Sequence, residues 1–349
     1  MEWEKNIRKV VPYVPGEQPK VEGIIKLNTN ENPYKPSPKV LEKAMEIDKL
    51  RLYPDDKAQM LVSSLAQYHN VNENQVFVGV GSDDVLAMAF MTFFNSDKEI
   101  LFPDITYSFY DVWANLFNIK FKTIPVDDDF RIIASDYNID NGGIIFPNPN
   151  APTSISEPLS FVEEIVKNNQ DVIVIVDEAY VDFGGETALP LIDKYDNLLV
   201  VRTFSKSRSM AGLRIGYAIG NEKLIKYMND VKYSYNSYTM NMPSIILGTE
   251  SIKDEEYFRS SINKVIETRQ WFTDEIKKLG FSCPDSKANF VFMTHESLKA
   301  KDIFEKAKQN KIYVRYFNKP RIDNYLRVTI GTREEMEKFL AFLQSIVKM

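Results

Sequence analysis

Short, uninterrupted apolar runs recur along this chain with helix-patterned stretches between them, and that alternation restricts the possible fold more than any other feature. The runs are Val76-Phe77-Val78-Gly79, Glu99-Ile100-Leu101-Phe102, Gly143-Ile144-Ile145-Phe146, Val172-Ile173-Val174-Ile175-Val176 and Leu198-Leu199-Val200-Val201. A strand with one wetted face alternates apolar and polar residues; a strand apolar at every position is buried on both faces. Between the runs, residues 58–69, 84–94, 108–116 and 160–168 carry helical spacing, with Ser82 and Asp83 as capping candidates for the second of these helices. The pattern predicts an α/β fold, a mostly parallel central sheet covered by helices. Residues 243–279 then show helical spacing with mixed charge. A strand follows at Phe290-Val291-Phe292-Met293, a helix at 301–309, strands at Ile312-Tyr313-Val314-Arg315 and 325–330, and a helix at 334–347. These form a smaller α+β domain. Seven of the 17 prolines fall in the first 54 residues, which argues for an extended arm and irregular segments there. The expected division is 1–45 for the arm and part of the small domain, 46–245 for the large domain and 246–349 for the small one.

At 349 residues the chain can bury a large core in two domains, and 44% hydrophobic with 26% charged residues is an ordinary globular composition. A net charge of −6 argues against a nucleic-acid surface. One cysteine, Cys283, rules out an internal disulfide framework and suits a reducing compartment, and with two histidines a histidine-based metal site is not expected. The opening Met1-Glu2-Trp3-Glu4-Lys5 is charged, unlike a signal peptide. The longest uncharged apolar run, around residues 85–94, is far short of a membrane span, so the expected location is the cytoplasm.

The chemistry concentrates in Thr203-Phe204-Ser205-Lys206-Ser207-Arg208-Ser209-Met210-Ala211-Gly212-Leu213-Arg214. A tight, hydroxyl-rich turn can aim Lys206 at a carbonyl, and Thr203, Ser205 and Arg214 can hold a phosphate beside it. Taken alone, the same letters also describe a solvated basic loop. Upstream, Asp177-Glu178-Ala179-Tyr180 closes the apolar run 172–176, so an acid sits at the carboxyl end of a buried strand about thirty residues before the lysine. A pyridinium nitrogen needs such a counter-ion. Gly81-Ser82-Asp83, between a strand and a helix start, suits a phosphate through exposed amides and the helix dipole, although a plain cap would read the same way.

In that order, the acid and the lysine resemble the aspartate-aminotransferase-like, fold type I enzymes that use pyridoxal 5′-phosphate (PLP). Val11-Pro12-Tyr13, Leu27-Asn28-Thr29-Asn30-Glu31-Asn32-Pro33, Arg51-Leu52-Tyr53-Pro54, Gly79-Val80-Gly81-Ser82-Asp83-Asp84, Asn148-Pro149-Asn150-Ala151-Pro152-Thr153 and Leu326-Arg327-Val328-Thr329-Ile330-Gly331 resemble the histidinol-phosphate aminotransferase branch. The resemblance implies that Lys206 carries PLP and moves the substrate proton, that Asp177 pairs with the ring nitrogen and that Tyr180 contacts the ring 3′-oxygen. It further implies that Tyr107 stacks on the ring and that Gly81, Ser82, Asp83, Thr203, Ser205 and Arg214 surround the phosphate. Tyr53 would reach the phosphate of a neighbouring subunit in a homodimer, while Tyr13, Asn30, Arg315 and Arg327 would bind substrate. The implied reaction is transamination of L-histidinol phosphate with 2-oxoglutarate, giving imidazole acetol phosphate and L-glutamate in histidine biosynthesis. The rivals are an aromatic amino-acid aminotransferase or a phospho-amino-acid decarboxylase of the same fold, and a catalytically silent binding protein. One departure stands out: the family's Asn-Pro-Thr-Gly is Ala151-Pro152-Thr153-Ser154 here. Asn150 is the expected substitute for the missing asparagine, and Ser154 implies a slightly different turn.

Overall fold

The computed structural model describes residues 1–20 and 22–347. An exposed arm leads into a short strand, β1 (Ile25–Lys26), and then a helix, α1 (Pro38–Ala44). This helix corrects the expectation of wholly irregular structure in the proline-rich segment. Pro38 sits in the first turn, where its missing N–H costs nothing, and the Ser37 side chain caps the Lys39 amide.

The part of the chain that builds the seven-stranded sheet follows as α2 (Gln59–His69), β2 (Val76–Gly79), α3 (Ser82–Phe93), β3 (Ile100–Pro103), α4 (Tyr110–Phe117) and β4 (Phe121–Ile124). It continues through β5 (Ile144–Pro147), α5 (Leu159–Asn168), β6 (Val174–Asp177), β7 (Leu198–Thr203), β8 (Gly216–Gly220) and α6 (Glu222–Tyr235). The seven strands lie in the order β2-β8-β7-β6-β5-β3-β4. Only β8 opposes its neighbours; every other adjacent pair is parallel. Strands β5, β6 and β7 are buried along their whole length, as their apolar runs require. Phe146, at 0% exposure in β5, represents the packing at stake: cutting such a residue to alanine costs about 3–5 kcal/mol. The edge strand β4 exposes Lys122 and Thr123.

Two consecutive helices, α7 (Met242–Lys253) and α8 (Glu255–Lys277), connect the seven-stranded sheet with the strands that follow. Asp254 separates them and is pinned by Ser37 and Lys39. The small unit holds β9 (Phe281–Ser282), β10 (Phe290–His295), α9 (Ala300–Gln309), β11 (Ile312–Tyr313), β12 (Arg315–Tyr316), β13 (Leu326–Thr329) and α10 (Arg333–Val347). Its antiparallel sheet runs β12-β13-β10-β9, whereas β11 pairs in parallel with β1. The strand expected over Ile312-Tyr313-Val314-Arg315 is therefore two strands in different sheets, because Val314 turns inward to the core between them. Among the described residues no helix is long and apolar enough to cross a membrane, and no cluster of candidate metal ligands occurs.

Pro103, Pro147, Asp177 and Thr203 are the last residues of β3, β5, β6 and β7. The carboxyl ends of these parallel strands form one edge, where open α/β sheets place their ligands.

Candidate active site

Two adjoining cavities open at this edge and share Thr29, Tyr107, Ala151, Tyr180 and Lys206. One is also lined by Ser82, Asp83, Asp177, Ser205 and Arg214, and the other by Tyr13, Asn28, Asn30, Phe317, Arg315 and Arg327. The fold thus brings together most of the residues singled out from the sequence.

The lysine turn leaves β7 and is closed by its own hydroxyls. Thr203 Oγ1 accepts the Ser205 amide at 3.1 Å and donates to Ile215 at 3.3 Å, so Thr203 shapes the turn without lining the cavity. Lys206 Nζ donates to the Thr29 carbonyl at 3.4 Å and lies 5.7 Å from the centroid of the Tyr180 ring. Behind the turn sits a buried polar network. Arg202 pairs with Glu178 at 2.8 Å and with Asp182 at 3.5 Å, and Asp182 accepts the Ser207 hydroxyl at 2.5 Å. Burial alone would lower Arg202, but the Glu178 carboxylate together with Tyr217 and Asp182 outweighs it and holds the guanidinium above its ordinary value. The network ties the residue after Lys206 to the residue after Asp177.

Asp177 is buried, and burial raises its acid to about 6 against the opposing effect of two donors, the Tyr110 hydroxyl at 3.0 Å and the Ala179 amide at 3.2 Å. Tyr180 receives the Asn30 amide on its hydroxyl oxygen at 2.9 Å, which leaves the phenolic proton free to donate. Asn30 has φ 57 and is fixed on its other side by Thr329, whose hydroxyl donates to Asn30 Oδ1 at 3.0 Å.

At the mouth of β2 the structure corrects the capping expectation: Gly81 is the N-cap, with φ 87, and Ser82 and Asp83 lie within the first turn of α3. The amides of Ser82 and Asp83 have no intrahelical acceptor and face the positive end of the helix dipole. Only glycine fits at both contacts here. A Cβ on Gly81 would meet Arg214 Nη2 at 2.5 Å, and one on Gly216 would overlap the Ser82 nitrogen. Arg214 bridges Asp83 at 3.3 Å and donates to Ser205 Oγ at 3.4 Å, while Tyr107 donates to Asp83 at 2.8 Å. Two amides, a serine hydroxyl and a guanidinium thus converge on one cradle, the donor set of a phosphate site.

On the opposite side, Arg315 and Arg327 are register partners across β12 and β13. Like charges placed directly opposite are destabilising, and neither arginine has an ion pair among the described residues. Arg327 donates to the Asn28 carbonyl at 3.0 Å, its buried Nε has no partner, and burial together with Arg315 holds it below its ordinary value while Tyr180 opposes. Tyr13 reaches this wall from the arm by stacking on Phe109 at 4.1 Å between centroids.

Two sequence-derived candidates lie elsewhere. Asn150 is not among the residues lining either cavity: one N–H of its amide donates to the Ile105 carbonyl at 2.9 Å and its oxygen accepts the Thr106 hydroxyl at 3.0 Å, which leaves the second N–H without a protein acceptor among the described residues. Ser154 takes φ 67, the left-handed conformation that glycine adopts without strain. Tyr53 is 81% exposed and packs on Tyr238 at 4.8 Å, away from this chain's cavity. Conversely, Tyr110, Thr29, Asn28 and the Arg202–Glu178 pair escaped sequence reading. Glu178, adjacent to Asp177, and Asn28 and Thr29, beside Asn30, stood within the sequence motifs without an assigned role; Tyr110 and Arg202 carried no local signal.

Residues 22–343 match the family described as Aminotransferase class I and II. A histidinol-phosphate aminotransferase of Lactococcus lactis subsp. lactis is 51% identical over 100% of this chain and 97% of its own. Histidinol-phosphate aminotransferase 1 of Hydrogenovibrio crunogenus is 53% identical over 99% of this chain and 98% of its own. Among solved structures, the histidinol-phosphate aminotransferase of Sinorhizobium meliloti in complex with pyridoxal-5′-phosphate superposes with a TM-score of 0.84 over 93% of this chain and 91% of that one, at 20% identity.

Proposed function

This chain belongs to the histidinol-phosphate aminotransferases within the class I and II aminotransferases, and on that premise we propose that it moves the amino group of L-histidinol phosphate to 2-oxoglutarate, yielding imidazole acetol phosphate and L-glutamate in histidine biosynthesis. The observation that carries the substrate reading is the uncompensated Arg315–Arg327 pair in the same cavity lining as Lys206. A fold tolerates two opposed cations when a ligand supplies the missing anion, and the phosphate of one substrate and the carboxylates of the other do so in turn.

The residues present fit PLP. The cradle of Ser82, Asp83, Ser205 and Arg214 suits its phosphate, and the adjoining floor of Asp177, Tyr107 and Tyr180 suits its ring. When bound, PLP supplies the carbonyl that takes the amino group and the electron-withdrawing ring that makes the substrate Cα–H acidic. The chain's own groups do the rest. Lys206 Nζ holds the cofactor and carries the proton taken from Cα. Asp177 would serve the ring nitrogen as counter-ion, Tyr180 would donate its free phenolic proton to the 3′-oxygen, and Tyr107 would cover the ring and exclude water. With Ala151 in place of asparagine and Asn150 outside both cavity linings, Tyr180, oriented by Asn30, is the side-chain donor that lines the cavity at that position. The Arg315–Arg327 wall, with Tyr13, orients the substrate anion.

We further propose a cytoplasmic homodimer. Tyr53 packs on Tyr238, and both are exposed, as are the large apolar side chains of Leu50, Leu52, Met60 and Tyr235, surface of the kind that a second copy covers. In such a dimer Tyr53 completes the phosphate cradle of the other subunit.

Two measurements test the reading. Borohydride reduction of the PLP-loaded protein followed by peptide mapping should place the label on Lys206; a label on another lysine would overturn the assignment. Half-reaction spectra with histidinol phosphate, phenylalanine, tyrosine and glutamate should show the fastest conversion with histidinol phosphate, with glutamate as the returning donor. Equal rates with the aromatic amino acids would favour an aromatic aminotransferase.

A further inference from the structure

Tyr110 is the first residue of α4 and is 0% exposed, enclosed by Phe90, Phe102 and Trp113 and edge-on to Tyr107 at 5.7 Å between centroids. Everything that touches its ring is a packing partner for which phenylalanine would serve equally well. Its hydroxyl is different: it reaches out of this aromatic cluster to Asp177 Oδ2 at 3.0 Å, while the Ala179 amide takes Oδ1 at 3.2 Å. Each carboxylate oxygen therefore receives one donor from the protein and keeps a lone pair for a ligand in the cavity that Asp177 lines. Burial and the neighbouring Asp177 charge raise the Tyr110 hydroxyl well above its ordinary value, so it remains a donor throughout the physiological range.

We propose that Tyr110 is a positioning residue for the cofactor's ring nitrogen: its hydroxyl fixes the side-chain rotamer of Asp177 and favours the carboxylate form, so that a protonated ring nitrogen meets a counter-ion already in place. The inference rests on the reading of Asp177 as partner of that nitrogen. Burial favours the neutral acid at Asp177, and the charged form is held only by the donors that reach it. Of the two, the Ala179 amide is fixed by the backbone of the turn; the Tyr110 hydroxyl is the one that a side-chain substitution can remove. Tyr110 also stands three residues after Tyr107, whose hydroxyl is anchored on Asp83. One short segment between β3 and α4 therefore delivers both the group that covers the ring and the group that sets the partner of its nitrogen.

The test compares two ligands on the same protein, so that any general loss of stability cancels. Dissociation constants are measured for PLP and for its 1-deaza analogue, which carries C–H in place of the ring nitrogen, with wild type, Tyr110→Phe and Asp177→Asn. Tyr110→Phe keeps the ring and its packing and deletes only the hydroxyl. Loss of a hydrogen bond to a charged group should weaken PLP about tenfold while leaving the analogue within about twofold of wild type. Asp177→Asn should abolish the preference for PLP over the analogue. If it does so while Tyr110→Phe weakens both ligands equally, or neither, Tyr110 is a packing residue and the inference falls. If Asp177→Asn leaves the preference intact, the assignment of Asp177 fails and takes the inference with it.

Discussion

The two walls of the cavity are built on opposite plans. On the side of the large sheet, polar groups find partners within the protein. Asp177 takes Tyr110 and Ala179, Asp83 takes Tyr107 and Arg214, and Arg202 behind them takes Glu178 and Asp182. On the side of the arm and the small sheet, two arginines face each other with no counter-ion among the described residues, and Arg327 keeps a buried unpartnered nitrogen. The first wall is preorganised, as suits a group that stays bound through every turnover. The second is electrostatically incomplete, as suits ligands that must arrive, be held and leave. Stability and affinity should therefore respond in opposite ways to substitutions on the two walls.

The largest effect is expected where the walls meet. Lys206→Ala removes both the covalent anchor and the proton carrier, so steady-state turnover should fall by roughly three or more orders of magnitude. The protein should still bind PLP weakly through Ser82, Asp83, Ser205 and Arg214, which absorbance after dialysis will show. Turnover within tenfold of wild type would remove Lys206 from the chemistry.

Behind the preorganised wall, Arg202→Met strands the buried Glu178 carboxylate. Denaturant unfolding should register a loss of about 3–5 kcal/mol, the usual consequence of leaving one member of a buried pair uncompensated. Arg315→Ala on the other wall should instead leave unfolding stability unchanged or raise it by a few tenths of a kcal/mol. Its cost should appear in binding: about 1.5–3 kcal/mol, a ten- to hundredfold rise in KM for histidinol phosphate, with phenylalanine and tyrosine turnover spared because one carboxylate needs chiefly Arg327. Arg327→Ala should impair both half-reactions, glutamate included. If Arg315→Ala destabilises the fold as Arg202→Met does, the contrast between the walls is wrong.

The smallest effect concerns the exposed Tyr53. Tyr53→Phe should weaken PLP retention by roughly 0.5–1.5 kcal/mol, one hydrogen bond. Mixing it with Lys206→Ala subunits should restore some turnover at limiting PLP, since one hybrid site then carries neither lesion. Absence of rescue would confine each site to a single chain.

The same contrast explains what the sequence could disclose. Strands β5, β6 and β7 are buried on both faces and announce themselves as apolar runs, and Asp177 and Lys206 stand at their ends. Strand β4, with Lys122 and Thr123 exposed at the sheet edge, carries no such run, and β8 hides behind two glycines and a tyrosine. Tyr110 was unreadable because its role rests on a contact to a residue 67 positions away. Asn150 shows the converse: sequence proximity to Ala151 suggests a substitute, but contacts that no local pattern reveals, to Ile105 and Thr106, turn its side chain toward the segment after β3. The doubly buried wall was legible because its signals are local. The other wall is assembled from segments far apart in the chain.

That assembly has a consequence for the order in which the protein is made. The Asn30 amide bonds to the Thr329 hydroxyl across 299 positions, Leu27 accepts the Thr329 amide at 2.9 Å, and β1 pairs with β11. Asn30 in turn orients Tyr180, and the Thr29 carbonyl receives Lys206. The segment that finishes the catalytic centre leaves the ribosome long before the strands it docks on, and it has no place to settle until they have been translated. The large sheet can close and hold cofactor while synthesis is still under way, but contacts of such separation form late. A chain interrupted shortly before Thr329 would then be a cofactor-binding protein that has never been an enzyme.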